Sequence, residues 1–542
     1  MTKRTIPLLL VSMILTGCGS QPTLVLEIED IVSPRLALHQ NIQLEIKSEN
    51  ISLADVIWSS SDGGTISVNE EGLVTSLLPG SATIKAELKD KPEIFDTIEI
   101  NAYCLVDDID ELKNTEPVYQ PLDVFTPQKF NAATWSVERN DELADGANLV
   151  VVNLELNSGR QVEANILEVD LKKSVDIVAG SYNNMTTLTG KKQNLYGQIQ
   201  AYENMNPDKK VIGATNADFF GNFPVNAFVK DNMILKDAHL DNGGYDYTNT
   251  NNDIPASMPM LFGVNDKFAQ VGAIIDHQSV EKTIKSKLTY ELHAINNEGA
   301  VVEHYEDVQR NAFSLPDYSR VNLITSTSRD AKAPVNATVY TLKKHTEGYL
   351  DHGEIVAIEK VTTLKTIVPA NDYAYVIVPE DLTNPSLELG NFFAYHVASE
   401  DGKWNHYQHI IGARQELVAN GEIPYTVRLE NTNGAQTTNI PRTAVGIKED
   451  GKVVLLAIES LYYGKKSTSS DDPYGVNLPE LAEIMRYYGC VNAGNFDGGG
   501  STQMIVHQDN LDQVIVRSSD YGTDNLSDGR AIINSVLVVS NQ

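Results

Sequence analysis

Short segments of alternating apolar and polar residues run through the first hundred positions: Leu24-Val25-Leu26-Glu27-Ile28, Ile42-Gln43-Leu44-Glu45-Ile46, Ile66-Ser67-Val68 and Ala82-Thr83-Ile84-Lys85-Ala86. A period of two puts alternate side chains on opposite faces of a strand, and the turn residues between segments give the spacing of a β-sandwich. Further on the pattern changes. Val453 to Ile458 is continuously apolar, as in a strand buried on both faces. After a polar loop, Asn477 suits a helix N-cap, Pro479 falls just inside, and Glu480 completes a capping box. Leu478, Leu481, Ala482, Ile484, Met485 and Tyr488 share one face of that helix, and Gly489 closes it. Cys490 to Ala493 then returns to extended structure, so the stretch reads as strand-helix-strand.

These patterns divide the chain. Residues 24–104 form an all-β sandwich, and 105–125 form an acidic, Pro-containing linker that includes Asp107-Asp108-Ile109-Asp110-Glu111. Residues 126–542 form one elaborated domain, expected to be α+β with a mixed β-sheet and flanking helices, interrupted by polar loops at 237–257 and 431–441. In the first part stand Ile57-Trp58-Ser59-Ser60-Ser61-Asp62, Gly72-Leu73-Val74-Thr75 and Gly80-Ser81-Ala82-Thr83-Ile84. This resembles a bacterial Ig-like domain of the group 2 type. The resemblance implies a spacer or adhesion module, with Trp58 in its core.

The chain has 542 residues, with 73 acidic and 42 basic side chains and a net charge of -31. An acidic chain without a basic cluster gains nothing from counterion release, so nucleic acid is excluded as a partner. Local Arg and Gly-rich amides can still bind an isolated anion, because distant charge is screened within about 8 Å. At the front, Lys3 and Arg4 precede an apolar run from Ile6 to Leu15, too short to span a bilayer, which ends in Leu15-Thr16-Gly17-Cys18. This resembles a bacterial lipoprotein signal. It implies a signal peptide over 1–17, lipidation of Cys18, a tether over 18–23 and attachment to the membrane by lipid only. The location implied is the extracytoplasmic face of the envelope, at the outer membrane in a two-membrane cell. Cys104 and Cys490 lie in different predicted domains and read either as a disulfide pair in an oxidising compartment or, preferably, as small buried hydrophobes. Neither has a CxxC or His neighbour, so no metal site is assigned.

The chemistry concentrates in Asn495-Phe496-Asp497-Gly498-Gly499-Gly500-Ser501-Thr502. Three glycines allow the backbone to approach a ligand, and successive amides can cradle a phosphate oxygen. Asn495 and Asp497, two apart at a strand end, project to the same side. The same spacing recurs in Asn216-Ala217-Asp218 after the apolar Val211-Ile212, so two strand ends can converge on one cleft. A polar loop delivers Arg442-Thr443 onto another strand, and the guanidinium fork suits a bidentate phosphate contact.

Asn216 to Phe220, Arg442 to Gly446 followed by Val453 to Glu459, Leu478 to Ala482, Asn495 to Ser501 and Arg530 to Val538 together resemble the phosphodiester glycosidase family, in the expected order over about residues 125–542. The resemblance implies a hydrolase that cleaves a sugar from a glycosyl phosphodiester in a glycan or glycopolymer. Asp218 and Asp497 are the preferred catalytic carboxylates, with Glu459 in reserve. Arg442, Thr443, Gly498, Gly499, Gly500, Ser501 and Arg530 are expected at the phosphate, and Asn216 and Asn495 at sugar hydroxyls or the carboxylates. No cofactor is required; Ca²⁺ on the Asn and Asp oxygens is a secondary reading without EF-hand spacing. The chain departs from the family at Glu459-Ser460, Ala413-Arg414-Gln415 and Pro473, which leaves sugar specificity open. The alternative function is a non-catalytic glycan-binding or adhesion lipoprotein, with Tyr245, Tyr247, Tyr462 and Tyr463 available to stack on sugars.

Overall fold

The alternation in the sequence is used twice over in this chain: once in strands with one buried face, and once in strands whose two faces enter two different cores. A computed structural model describes residues 25–29, 35–37, 41–47, 51–77, 80–103, 132–156, 159–186, 190–236, 260–273, 288–296, 301–310, 318–328, 330–344, 352–399, 402–405, 407–424, 427, 437–459, 475–521 and 524–541. The signal sequence with Cys18, Cys104, the 105–125 linker, Ser460, Pro473 and the four loop tyrosines lie outside the described residues. The chain divides into two units, Met1–Leu105 and Val106–Gln542.

In the first unit, a four-stranded sheet has the order Arg35–Ala37, Lys91–Tyr103, Gly80–Leu88 and Val56–Ser60, and a three-stranded sheet joins Asn41–Gln43, Leu73–Ser76 and Ile66–Val68. Their alternate residues, among them Leu44, Trp58, Ile66, Val74, Ile84 and Ile100, make one core. Trp58 is 8% exposed. Gly72, at φ +81°, backs onto its ring, where a Cβ would come within 2.8 Å.

The second unit is built from sheets that are antiparallel except where Val301–Arg310 pairs in parallel with Asn322–Ile324. A seven-stranded sheet has the order Glu416–Val418, Cys490–Asn495, Arg442–Lys448, Val453–Ile458, Gln161–Val169, Ala147–Leu156 and Ala132–Ala144. A five-stranded sheet has the order Val175–Ser181, Asn534–Asn541, Lys209–Asn216, Met504–Gln508 and Leu511–Val516. Another orders Met233–Lys236, Phe228–Lys230, His409–Ala413, Met260–Val264 and Ala269–Ala273. The three share one core, to which Val453, Leu455 and Ala457 contribute from the continuous apolar strand. Val454, Leu456 and Ile458 face the other way, into a core closed by helix Leu478–Tyr487. That two-faced burial is why the strand carries no polar position. The helix begins at the Asn477 N-cap with the Asn477–Glu480 capping box formed. A second helix, Leu195–Met205, covers the Lys209–Asn216 sheet through Leu195, Ile199 and Tyr202.

Seven further strands close a barrel in the order Leu288–Ile295, Val301–Arg310, Asn322–Ile324, Tyr373–Val378, Thr338–Lys344, His352–Lys360 and Phe392–Ser399, and Ala331–Ala333 pairs with Lys365–Ile367 in a separate two-stranded sheet. Tyr290, Leu292, Tyr340, Phe393 and Tyr395 belong to its core.

This overturns the expected α+β class with flanking helices, although one sheet, the barrel, does mix a parallel pair with antiparallel ones. The unit is predominantly β; the described residues include two α-helices, and the three sheets sharing the central core are wholly antiparallel. The physical reason lies in the pattern itself. The clear helical period at 478–488 stands among period-two segments joined by turns, which dominate residues 132–399 and pair as sheets and a barrel.

Candidate active site

Two strand ends from different sheets meet beside the shared core. In each N-x-D unit the middle residue is apolar and buried, Ala217 at 1% and Phe496 at 0% exposure. Phe496 packs edge-on against Phe262, with ring centroids 6.4 Å apart. Anchoring that middle side chain in the core directs the flanking Asn and Asp away from it. Asn216 then bridges the sheets: its Nδ2 donates to the Asp497 carbonyl at 2.7 Å. Its Oδ1 accepts from Thr443 Oγ1 at 2.8 Å and from the Gln503 amide at 3.1 Å. The Asp497 amide completes the tie by donating to the Ala217 carbonyl at 2.8 Å. Asn216 and Thr443 are both fully buried, so they fasten the site rather than line it.

Asp218 is 2% exposed. Its Oδ2 accepts from the Asn226 amide at 3.1 Å, while Oδ1 is buried without a hydrogen-bond partner among the described residues. Gly412 makes room for this carboxylate; a Cβ there would lie 2.6 Å from Asp218 Oδ2. Burial pushes the Asp218 carboxyl up to about 7, against the opposing influence of the Asn226 amide and of Lys236 and Arg414, and the Asp497 charge adds to the rise. Asp497 is partly open. Burial raises its carboxyl too, opposed by a hydrogen bond from Ser501, by Arg530, by the Gly498 amide at 3.0 Å and by Arg414. Arg414 thus acts on both carboxylates. Its guanidinium also lies over the Phe219 ring, 4.8 Å from the centroid.

The glycine run forms a single 3₁₀ turn, Gly499–Ser501, with Gly499 at φ +61°. Arg530 Nη1 reaches Ser501 Oγ at 3.4 Å, and its Nε bonds Asp520 at 2.6 Å. Gly500 admits this pair, since a Cβ would meet Asp520 Oδ1 at 2.4 Å and Arg530 Nη2 at 2.5 Å. Arg530 keeps a 40% exposed side chain. A partly open aspartate therefore stands beside a turn of small residues and an accessible guanidinium, a set suited to an anionic substrate.

Three expected residues take other positions. Arg442 is buried, with Nε donating to the Val476 carbonyl at 3.2 Å and Nη2 to the Thr438 carbonyl at 3.1 Å. Its charge still acts on Asp497, but its fork braces the backbone. Glu459 lies at the end of the neighbouring strand and accepts from the Arg517 amide at 3.5 Å. Asn495 is fully buried and donates to Gln415 Oε1 at 2.7 Å. Asn226 and Arg414 did not emerge from sequence reasoning. Arg414 stood in view as a departure from the family's glycine-rich run, and that was the available signal. The positive charge of Arg414 on both aspartates argues against a Ca²⁺ ion held by these same oxygens.

Residues 329–539 match the phosphodiester glycosidase family. That stretch contains Arg414, Arg442, Asp497, the glycine turn and Arg530, whereas Asn216 and Asp218 precede it. No curated protein matches the chain. Similar solved structures include a hypothetical protein from Synechocystis, 13% identical over 96% of this chain and 82% of that one, with a TM-score of 0.40. A putative exported protein from Burkholderia pseudomallei is 14% identical over 70% and 74%, with a TM-score of 0.34. The catalytic domain of zebrafish N-acetylglucosamine-1-phosphodiester alpha-N-acetylglucosaminidase, auto-inhibited by its pro-peptide, is 13% identical over 78% and 98%, with a TM-score of 0.32.

Proposed function

We propose that this protein hydrolyses a glycosyl phosphodiester, freeing a sugar from its phosphate, at the site formed by Asp218 and Asp497. The observation that carries the reading is the position of Asp497, a partly open carboxylate between Arg414 and the Ser501–Arg530 pair. In the reaction, the oxygen of water bonds to the anomeric carbon as the bond from that carbon to the phosphate oxygen breaks. The phosphate leaves with the electron pair, and a proton of the water passes to a carboxylate. Phosphate is a good leaving group, so the main task is to stabilise its charge, for which the exposed Arg530 guanidinium is suited, whereas the Gly498, Gly499 and Ser501 amides already donate to Asp497, Pro441 and Gly498. Asp497 serves the anomeric carbon or its attacking water. Asp218, deeply buried and protonated up to near neutrality, holds a proton beside it. Arg442 positions the loop that carries the glycine turn, because the Gly499 amide donates to the Pro441 carbonyl at 2.8 Å.

The reading extends to a glycan or glycopolymer substrate at the bacterial envelope. Its support there is the Leu15-Thr16-Gly17-Cys18 sequence, which offers Cys18 for lipidation, and the Ig-like pattern of residues 24–104, which suits a spacer. The test compares turnover of a synthetic sugar phosphodiester with that of the matching neutral aryl glycoside. Preference for the phosphodiester, reduced by Arg530→Ala about a hundredfold, supports the assignment. Equal or better turnover of the neutral glycoside, with Arg530→Ala harmless, removes it.

A further inference from the structure

The barrel carries a cluster of ionisable side chains apart from the carboxylate site. On the Leu288–Ile295 strand, Leu288, Tyr290, Leu292 and Ala294 enter the barrel core. Glu291 and His293 therefore occupy the opposite face, two residues apart. The register sets His304, on Val301–Arg310, directly across from His293, and His396, on Phe392–Ser399, directly across from Glu291. Direct partners on antiparallel strands have Cβ atoms about 5 Å apart, so side chains of this length converge.

They do. The ligating atoms of Glu291, His293 and His304 all lie within 4.8 Å of one another. The His293 and His304 rings stack with centroids 4.4 Å apart and an 8° tilt. Glu291 Oε2 lies 3.5 Å from His304 Nε2 and 3.3 Å from His396 Nε2. His293 Nε2 is buried without a hydrogen-bond partner among the described residues, which is uncommon for a buried ring nitrogen.

We propose that Glu291, His293 and His304 bind a divalent transition-metal ion, with Zn²⁺ as the occupant, and that His396 orients the Glu291 carboxylate. Two imidazoles and one carboxylate form a ligand set that Zn²⁺ accepts, with solvent as the fourth ligand. His396 Nε2, 3.3 Å from that carboxylate, stands where such sites place a second residue behind a ligand. The ion would tie the Leu288–Ile295 and Val301–Arg310 strands together on the outer wall of the barrel. These strands supply no residue to the Asp218–Asp497 site, so the inference stands apart from the proposed hydrolysis.

The test uses the full chain, purified without a polyhistidine tag, stripped with a chelator and titrated calorimetrically with Zn²⁺. One equivalent should bind with micromolar or tighter affinity, and about 100 µM Zn²⁺ should raise Tm. His304→Ala, at a 39% exposed side chain, and Glu291→Gln should each weaken binding at least about tenfold, whereas His507→Ala should leave it unchanged. Should the variants fold poorly, labelling of the wild type by diethylpyrocarbonate carries the test: Zn²⁺ should protect His293 and His304. No uptake by the folded wild type, affinity unchanged in His304→Ala and Glu291→Gln, or equal labelling with and without Zn²⁺ would each overturn the proposal.

Discussion

The side-chain amide of Asn216 donates to the backbone carbonyl of Asp497 at 2.7 Å, across 281 residues of chain. One aspartate-bearing strand end is thereby held by the asparagine of the other. The same Asn216 accepts a hydrogen bond from the Thr443 hydroxyl on its Oδ1, so one fully buried amide ties its own strand to Arg442–Lys448 and to the segment that follows Cys490–Asn495.

Thr443→Val keeps the shape of the side chain and removes that donor. The buried Oδ1 retains the Gln503 amide, so the loss should be about 1–2 kcal/mol rather than collapse of the site. Denaturant unfolding measures it. A change below about 0.3 kcal/mol would show that the bridge contributes nothing to stability.

Asp218 links stability to pH. Its carboxyl is raised from 3.8 to about 7 in the folded protein, so between these values the folded state holds a proton that the unfolded state has released. The associated stability is fully present below about pH 4 and is lost as pH rises through 7. Asp218→Asn removes this dependence. It should unfold later than the wild type at pH 8, by on the order of 3 kcal/mol, and about equally at pH 4. Parallel Tm profiles for the two proteins from pH 4 to 8 would contradict the burial-driven shift.

Much of this arrangement is local enough to be visible in sequence. The Asn477–Glu480 capping box and the two-faced Val453–Ile458 strand each occupy a few consecutive residues and take the structural form their spacing suggests; the two N-x-D units do meet, but with Asn216 and Asn495 buried rather than presented to a cleft. What sequence hides is pairing at a distance. Arg414 reaches the aspartates because His409–Ala413 enters a sheet beside Phe228–Lys230, and nothing around residue 414 records that partner. Arg442 looked like an open phosphate ligand because its loop is polar, whereas its donors meet the carbonyls of Val476 and Thr438. The barrel escaped for the same reason, and with it the His293–His304 pair. The Glu291-x-His293 spacing was the local clue, but only the register adds His304 and His396.

Arg414 lowers the proton affinity of both carboxylates by its charge. Arg414→Gln should therefore move the acid limb of the kcat/KM profile to higher pH, by roughly one unit, along with any loss of rate. A variant that loses rate while its acid limb stays in place would show that Arg414 does not tune the group that must be ionised.

Cys18→Ala should release the protein from the membrane fraction or leave the signal uncleaved, since lipid attachment depends on that thiol. Processed mutant protein that stays tightly bound to membranes would contradict the anchor.

The central claim concerns which bond breaks. Hydrolysis of a sugar phosphodiester in ¹⁸O-labelled water, followed by mass spectrometry of both products, answers it directly. The account predicts the label on the anomeric hydroxyl of the freed sugar, unlabelled phosphate monoester, and at least about a hundredfold slower release by Asp497→Asn. Label in the phosphate, or undiminished release by Asp497→Asn, would contradict it.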